Sequence, residues 1–239
     1  MVTTELDEIL DRLRLRIDRS RLASMIDATL LSPSIRLEDA IRLIEATQEH
    51  GFYCAMLPPH LIPELSKRAE RLGVRLCSVV GFPYGYAHPE AKAREAEALA
   101  ESGVAEIDMV ANISAILNGH WELVERDIRG VVDAAREYGV KVKVIVEAPL
   151  LGDSELGRIV EIVAASGAEY AKTSTGVLSK GGDPVTTLRL YRVASPLGLK
   201  VKAAGGIRTG LQALLAIAAG ASRIGTSSPV EVLETSGLE

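Results

Sequence analysis

The sequence has few of the residues on which metal sites and disulfide frameworks depend, with two cysteines and four histidines among 239 residues. Cys54 and Cys77 lie in separate apolar stretches with no CxxC pattern, and we expect both to be buried free thiols. The histidines all fall in the first half of the chain and show neither HxxxH nor HExxH spacing. The sequence therefore predicts no metal site, and nothing in it indicates a cofactor.

Long apolar segments and runs of basic residues are also missing. No window approaches the roughly 18 uninterrupted apolar residues of a membrane-spanning helix, and the residues after Met1 contain no apolar signal core. The formal net charge is -5, and no stretch of Lys and Arg with interleaved aromatic residues follows one face. We therefore expect a soluble cytoplasmic protein that binds neither nucleic acid nor membranes.

From Ser24 onward, short apolar runs alternate regularly with amphipathic helical patterns. In one such pattern, the apolar residues Ile128, Val131, Val132 and Ala135 recur at the spacing of one helix face. The eight strand candidates are Met25–Leu30, Phe52–Leu57, Arg75–Val80, Glu106–Ala111, Val142–Glu147, Tyr170–Thr173, Val201–Ala204 and Arg223–Gly225. Helical patterns between eight strands in a chain of this size predict a (β/α)8 TIM barrel, an α/β fold, with a doubly wound open sheet as the alternative.

We expect a single domain over residues 1–239, because no linker, low-complexity tract or change of composition divides the chain. The barrel is predicted over residues 24–232, and a helical extension over residues 1–20. The apolar face of that extension consists of Leu6, Ile9, Leu10, Leu13 and Ile17. Such a face is expected to cover one end of the core or to form an oligomer contact.

Two lysines near the ends of apolar strands contradict the pattern around them. Lys172 lies in the sixth candidate strand and Lys202 in the seventh, and burying an ammonium group is costly unless its charge is relieved. Neighbouring parallel strands lie about 4.8 Å apart, so two such lysines repel and one of them loses its proton readily. A neutral amine attacks carbonyl compounds, and the pair therefore predicts imine chemistry. Strand parity allows either lysine to point inward, so periodicity does not identify the nucleophile.

Polar residues are expected to act at the carboxyl ends of barrel strands, where active sites of this fold lie. Asp27 and Thr29 end the first candidate strand, and Asp108 lies in the fourth. Beside two lysines, Asp108 is suited to moving protons at the reacting centre; alternatively, it neutralises a lysine or caps a backbone group. Lys202 also has two interpretations, because it either binds a phosphate or carboxylate or lowers the pKa of Lys172.

Glycine-rich turns follow the last two candidate strands. Gly205-Gly206 comes after the seventh, and Gly225-Thr-Ser-Ser228 comes after the eighth. Barrels commonly bind phosphate there, because glycines let backbone N–H groups approach the anion. Gly176 and Arg208 are further candidate contacts. The segment that begins at Gly176 resembles a Walker A loop, but Gly182-Asp183 replaces the required Lys-Ser/Thr pair, which excludes an NTP-hydrolysing site.

Six motifs occur in order along the chain: Asp27-Ala-Thr-Leu30, Gly81-Phe-Pro83, Glu106-Ile-Asp-Met-Val110, Lys172-Thr-Ser-Thr-Gly176, Lys202-Ala-Ala-Gly-Gly-Ile-Arg-Thr209 and Gly225-Thr-Ser-Ser228. Together they resemble the motifs of the 2-deoxyribose-5-phosphate aldolase family, over nearly the whole chain. The resemblance is most specific in the two lysine motifs. It implies a class I aldolase on a (β/α)8 barrel, without metal or cofactor, that cleaves 2-deoxy-D-ribose 5-phosphate reversibly to D-glyceraldehyde 3-phosphate and acetaldehyde.

The resemblance also implies roles for individual residues. Lys172 would form the Schiff base, Lys202 would lower its pKa, and Asp108 would relay protons through water. The residues implied in binding the substrate and its phosphate are Thr29, Thr173, Gly176, Gly205, Gly206, Arg208, Gly225, Ser227 and Ser228. Family members form dimers or tetramers, so a homo-oligomer is expected.

Two positions depart from the family pattern. Some members have a lysine directly after the Ser-Thr-Gly triplet, where this chain has Val177, so phosphate affinity is expected to depend on backbone groups. Some members also end in a tyrosine that assists proton transfer, whereas this chain has no tyrosine after Tyr191. Proton transfer is then expected to depend on Asp108, Lys202 and water. The alternative functions are a transaldolase-like enzyme and a catalytically silent barrel that binds a sugar phosphate.

Overall fold

The structure, a computed structural model, describes residues 17–239. Over those residues, eight parallel strands pair in sequence order and the eighth pairs with the first, which closes the sheet into a barrel. The strands are β1 (Ile26–Thr29), β2 (Cys54–Met56), β3 (Leu76–Val80), β4 (Glu106–Val110), β5 (Lys141–Ile145), β6 (Tyr170–Lys172), β7 (Lys200–Ala204) and β8 (Arg223–Thr226). The predicted (β/α)8 barrel is confirmed, and the open-sheet alternative is wrong because β8 pairs with β1.

In the described part of the chain, a helix occupies every connection between successive strands. The helices are α1 (Arg19–Ala23), α2 (Leu37–His50), α3 (Ile62–Arg71), α4 (Pro89–Glu101), α5 (Ile113–Leu117), α6 (Trp121–Arg136), α7 (Asp153–Ala165), α8 (Pro184–Ala194), α9 (Gly210–Ala218) and α10 (Pro229–Glu234). Short 3-10 turns occupy Pro59–Leu61, Ala148–Leu150 and Ser195–Leu197. Helix α1 precedes the first strand, and the connection from β4 to β5 carries two helices.

Strand β4 shows how the sequence directs apolar side chains outward and charged side chains inward. Ile107 and Met109 belong to the hydrophobic cluster that the sheet shares with the helices, together with Ile128 of α6. Glu106 and Asp108 alternate with them and therefore project to the opposite face, toward the barrel axis. The helices cover the outside of the sheet with their apolar faces, so the inside is available to polar groups.

Side-chain caps fix the starts of the two helices that follow β6 and β7. Asp183 accepts a hydrogen bond from the Thr186 amide at 2.9 Å, and Pro184 occupies the first position of α8, where no N–H is needed. At the start of α9, the Thr209 hydroxyl accepts from the Gln212 amide, and the Gln212 side chain accepts from the Thr209 amide at 3.1 Å. These caps determine where the loops after β6 and β7 end.

The predicted helical extension over residues 1–20 lies mostly outside the described residues. Helix α1 begins after Asp18, whose carboxylate accepts from the Arg21 amide at 2.7 Å. Residues 17–239 contain no helix with the length and apolar character needed to cross a lipid bilayer.

The two cysteines correct one prediction. Cys54 and Cys77 form a disulfide, so the expectation of free thiols was wrong. Strands β2 and β3 are neighbours, and Met56 pairs with Cys77, which brings the Cα atoms of the two cysteines within 6.1 Å. A sequence separation of 23 residues does not reveal that the two strands lie side by side.

Candidate active site

Charged side chains occupy much of the inside of the barrel, where branched apolar layers are usual in this fold, and they lie beside a small apolar cluster from β2 and β3 (Cys54, Met56, Cys77 and Val79). Three carboxylates and four cations meet there, each at most 5% exposed. They are Asp27, Glu106, Asp108, Lys143, Lys172, Lys202 and Arg223. An unpaired buried charge is strongly destabilising, so the arrangement depends on the pairing of these groups.

Lys172 and Lys202 are direct partners in the register between β6 and β7. Both Nζ atoms contact the same oxygen, Oδ2 of Asp108, at 2.8 Å and 2.6 Å. The two nitrogens are therefore no farther apart than the sum of these distances, which agrees with the adjacency predicted from the sequence. Gly225 makes room for this arrangement, because a Cβ there would lie 3.0 Å from Cε of Lys202.

Asp108 is the common partner of three lysines. Its other oxygen accepts from Nζ of Lys143 at 2.8 Å. Lys202 additionally donates to Oδ2 of Asp27 at 2.5 Å. Lys202 is thus held between two carboxylates, whereas the carboxylate partner of Lys172 within the described residues is Asp108.

The ion pairs continue toward the amino ends of the strands. One guanidinium nitrogen of Arg223 lies 2.8 Å from Asp27 and 2.9 Å from Glu106, and Nζ of Lys143 lies 2.6 Å from Glu106. The guanidinium also stacks on the Tyr53 ring, with 3.3 Å between the guanidinium carbon and the ring centroid. The Tyr53 hydroxyl donates to Glu106 at 2.7 Å. This layer connects the base of the barrel with the lysines nearer its mouth.

The charges of the interior do not balance when every group is ionised, because four cations face three carboxylates. Loss of one proton brings the sum to zero. Burial lowers the pKa of Lys172 to about 8, an effect that Asp108 opposes and the Lys202 ammonium strengthens. The family resemblance implied that Lys202 lowers this pKa, and in the structure burial is the larger cause. Lys172 therefore carries a substantial neutral fraction near neutral pH.

The neighbouring charges keep the three carboxylates and Lys143 ionised, unlike Lys172. Burial would raise the pKa of Asp108, but the surrounding ammonium groups, first that of Lys143, hold it well below its ordinary value. Burial would likewise raise the pKa of Asp27 and of Glu106, and the neighbouring cations lower both below their ordinary values. For Lys143, burial is outweighed by the three carboxylates, which raise its pKa. These groups keep their charges at neutral pH and surround Lys172, which titrates close to it.

A cavity of about 340 Å³ opens above Lys172, at the carboxyl ends of the strands. The loops after β1, β6, β7 and β8 form most of its wall, and Phe82 from the loop after β3 completes it. The predicted site residues that line it are Thr29, Lys172, Gly176, Gly205, Gly206, Arg208, Gly225 and Ser227. Its volume suits a small ligand.

Two of the residues predicted to bind the substrate, Thr173 and Ser228, do not line this cavity. The Thr173 hydroxyl donates to the Ala204 carbonyl at 3.1 Å and accepts from the Ala204 amide at 3.0 Å, so it joins β6 to β7 rather than lining the cavity. Ser228 lies at the start of α10 and lines a separate groove between α2 and α10. Lys202 and Asp108 lie directly beneath the cavity, where both are 0% exposed.

The loop after β6 is held against the loop after β7 by close backbone contacts. The Gly182 amide donates to the Gly205 carbonyl at 2.9 Å, and the Gly181 amide donates to the Ser174 hydroxyl at 3.1 Å. Gly205 has a φ of +94°, and a Cβ there would lie 2.4 Å from the Ser174 hydroxyl oxygen and 3.1 Å from Cα of Gly176. The two glycine turns therefore lie against each other at the cavity wall.

Glu147 corrects the predicted end of the fifth strand. Strand β5 ends at Ile145, and Glu147 follows in the left-handed region with a φ of 51°. Its buried carboxylate accepts from the Thr175 amide at 3.0 Å and from the Ser179 hydroxyl. A left-handed non-glycine residue costs on the order of 1–3 kcal/mol. Here that conformation aims the carboxylate at the loop after β6.

Sequence reasoning missed Glu106, Lys143 and Arg223 as parts of the site, and Lys180 at its rim. Strand parity was the signal that pointed to the first of these, because Glu106 precedes Asp108 by two residues and so shares its face. Within residues 17–239, no group of three or more histidine, cysteine, aspartate or glutamate side chains is arranged to hold a metal ion.

Comparisons with known proteins identify close relatives, although no protein-family model matches the chain. The deoxyribose-phosphate aldolase of Aeropyrum pernix is 50% identical over 214 residues, which cover 90% of this chain and 89% of that protein. The deoxyribose-phosphate aldolase of Thermococcus gammatolerans is 43% identical over 216 residues, with 89% and 95% covered. A solved structure, described as the unique tetrameric structure of the Aeropyrum pernix enzyme, has a TM-score of 0.89 at 49% identity and covers 96% of this chain and 95% of its own.

Proposed function

This chain belongs to the deoxyribose-phosphate aldolase family, and on that basis we propose that it cleaves 2-deoxy-D-ribose 5-phosphate to D-glyceraldehyde 3-phosphate and acetaldehyde, reversibly and through a Schiff base on Lys172. The observation that carries the proposal is an amine with a pKa of about 8 at the floor of a cavity open to ligands. Lys202 contacts the same carboxylate but lies beneath the cavity, so Lys172 is assigned as the nucleophile.

The first step is attack of neutral Nζ of Lys172 on the C1 aldehyde of the open-chain sugar. The carbonyl oxygen takes up a proton, the nitrogen loses one, and a carbinolamine forms. Protonation and departure of that hydroxyl as water then leaves a positively charged imine. We assign these proton movements to Asp108, to Lys202 and to water. Oδ2 of Asp108 lies 2.8 Å from Nζ of Lys172 and 2.6 Å from Nζ of Lys202, within reach of both.

The second step breaks the bond between C2 and C3 of the sugar. A base removes the proton of the C3 hydroxyl, the C3 oxygen becomes the aldehyde of D-glyceraldehyde 3-phosphate, and the bonding electrons move into an enamine on Lys172. Protonation of the enamine at C2 gives the imine of acetaldehyde. Addition of water to that imine releases acetaldehyde and returns the free amine.

The wall of the cavity supports binding of the sugar phosphate. We assign the phosphate to the turns after β6, β7 and β8, where glycines permit close backbone approach. The residues assigned to this contact are Gly176, Gly205, Gly206, Arg208, Gly225 and Ser227, which line the cavity. Thr29 lines it on the side of β1 and is assigned to the sugar. Thr173 and Ser228 are assigned an indirect part, because they lie behind the wall.

The test of this function is borohydride trapping in the presence of acetaldehyde, followed by peptide mass spectrometry. We expect a stable ethyl group on Lys172, and we expect the Lys172→Ala variant to lose both the adduct and turnover. The variant should stay folded by circular dichroism, since Asp108 keeps Lys143 and Lys202 as partners. An adduct on Lys202, or no adduct at all, would contradict the mechanism. Acetaldehyde as the donor also separates this function from a transaldolase-like one.

We further propose that the chain assembles into a homo-oligomer, as the solved Aeropyrum pernix enzyme, described as tetrameric, does. Size-exclusion chromatography with light scattering at micromolar concentration tests this assembly. A monomer mass would contradict it without bearing on the chemistry at Lys172.

A further inference from the structure

Lys180 is a cation at the mouth of the cavity that none of the six aldolase-like motifs includes. It belongs to the loop between β6 and α8 and lines the same cavity as Lys172. Its side chain passes over Gly206, with Cβ, Cγ and Cδ between 3.6 Å and 3.8 Å from the position that a Gly206 Cβ would take. The aliphatic stem is thus packed along one of the turns to which the phosphate is assigned, while the residue remains exposed.

The loop that carries Lys180 has little freedom to move away from that turn. On the side toward α8, the Gly182 amide bonds to the Gly205 carbonyl, and a Cβ on Gly182 would lie 2.7 Å from that carbonyl oxygen. On the other side, the Ser179 hydroxyl donates to Glu147. Ser179 before Lys180 and Gly182 after it are therefore bonded to other parts of the barrel, which fixes the direction from which the Lys180 side chain enters the cavity.

The charge of Lys180 is available to a ligand. No carboxylate in residues 17–239 forms an ion pair with Lys180 or with Arg208, the other cation that lines the outer part of the cavity. The floor of the cavity is different, because the cations beneath it are paired with Asp108 and Asp27. Within the described residues these two cations at the mouth lack a carboxylate partner, whereas the ammonium groups beneath the cavity already contact carboxylates, so the positive field is least compensated where the ligand's far end lies.

We propose that Lys180 selects phosphorylated over unphosphorylated substrates by binding the phosphate dianion with its ammonium group. The proposal rests on the proposed function, which supplies a substrate with the aldehyde at one end and the phosphate at the other. With the aldehyde carbon at Lys172, the phosphate points to the mouth. Some family members have a lysine at the position of Val177; in this chain the proposed ammonium contact comes three residues further on and adds to the backbone groups expected from the sequence.

The test compares Lys180→Met with the wild type on 2-deoxy-D-ribose 5-phosphate and on 2-deoxy-D-ribose. Loss of a charge-assisted hydrogen bond corresponds to roughly a tenfold to hundredfold loss of kcat/KM for the phosphorylated sugar. For the unphosphorylated sugar we expect a change of less than about twofold, because the contact is absent in both proteins. Lys180→Arg should recover most of the loss, since it restores the cation.

The matched control is Lys141→Met, which removes the same charge from an exposed lysine at the amino end of β5. It should leave both substrates unaffected. An equal loss on both sugars for Lys180→Met would show a structural role of the loop and overturn the proposal, as would a loss of similar size in the control.

Calorimetric titration with inorganic phosphate tests the same contact without turnover. Weaker phosphate binding by Lys180→Met than by Lys141→Met supports the proposal, and equal binding overturns it. If the wild type cleaves neither sugar, the proposed function fails, while the phosphate titration still decides the role of Lys180.

Discussion

Replacement of Lys202 by methionine should raise the pH at which Lys172 becomes nucleophilic. Two unit charges about 5 Å apart in a medium of effective dielectric constant about 20 repel by about 3 kcal/mol, which corresponds to about two pKa units. Removing the Lys202 charge therefore moves the pKa of Lys172 from about 8 to about 10. At pH 7.5 the neutral fraction then falls from about a quarter to about 0.3%, so imine formation should slow roughly eightyfold.

The assay is the initial rate of acetaldehyde trapping by borohydride on Lys172, measured across the neutral and alkaline range. This rate follows the free amine directly and does not depend on the later carbon–carbon cleavage. Methionine resembles the lysine stem in shape, and Asp27 and Asp108 keep Arg223 and Lys143 as partners, so the variant should fold. Thermal unfolding followed by circular dichroism verifies this.

Lys200→Met is the matched control, because Lys200 lies two residues earlier on β7 and is exposed. Its trapping profile should match that of the wild type. The reasoning about charge is refuted if Lys202→Met keeps the wild-type midpoint near pH 8, since burial alone would then account for the low pKa. A slower rate with an unchanged midpoint would instead assign Lys202 to proton transfer only.

Three further substitutions, one of them a control, test the interior charges and the glycine turns through urea unfolding. Asp108→Asn should lower the free energy of unfolding by about 3–5 kcal/mol at neutral pH, because three buried lysines lose a partner. Since the folded-state pKa of Asp108 lies well below 3.8, this contribution is fully present above that pH and is lost as the pH falls toward the folded-state value; a difference that vanishes already near neutrality would contradict the assignment. Gly205→Ala should cost about 1–3 kcal/mol, because alanine is strained at a positive φ and meets the neighbouring loop. Gly157→Ala within α7, where a Cβ meets nothing within 4 Å, should instead stabilise by about 0.5–1 kcal/mol; equal effects of the two glycine substitutions would refute the steric argument.

The fold was predictable from the sequence because strand and helix periodicity act locally and repeat eight times. All eight strand candidates overlap an observed strand, and the errors lie at their ends. The fifth candidate was extended to Glu147 because its apolar run continues through Val146, whereas the backbone turns after Ile145. A run of apolar residues does not show where main-chain pairing stops.

Site residues were predictable where a charged side chain interrupts an apolar strand near its carboxyl end. They were not predictable where their role depends on contacts between residues far apart in the sequence. Lys172 and Lys202 contradicted their apolar strands, and both point inward as neighbours. Arg223 and Lys143 were not predicted, because Arg223 begins β8 and Lys143 lies in the middle of β5, and neither position reveals the carboxylates that these side chains meet in space. The Cys54–Cys77 disulfide was missed because the order of the strands does not give their register, which decides whether two side chains on neighbouring strands come within bonding distance.

In barrels of this fold the reaction takes place at the carboxyl ends of the strands, and the opposite end ordinarily contributes to stability. Here Glu106 and Arg223 form ion pairs that continue through Lys143 to Asp108, and the Lys143 ammonium itself lowers the pKa of Lys172, so we expect substitutions at that end to reach the amine through Lys143. Selection of this protein for work in more acidic media should therefore enrich substitutions at the floor of the barrel, remote from any atom of the sugar.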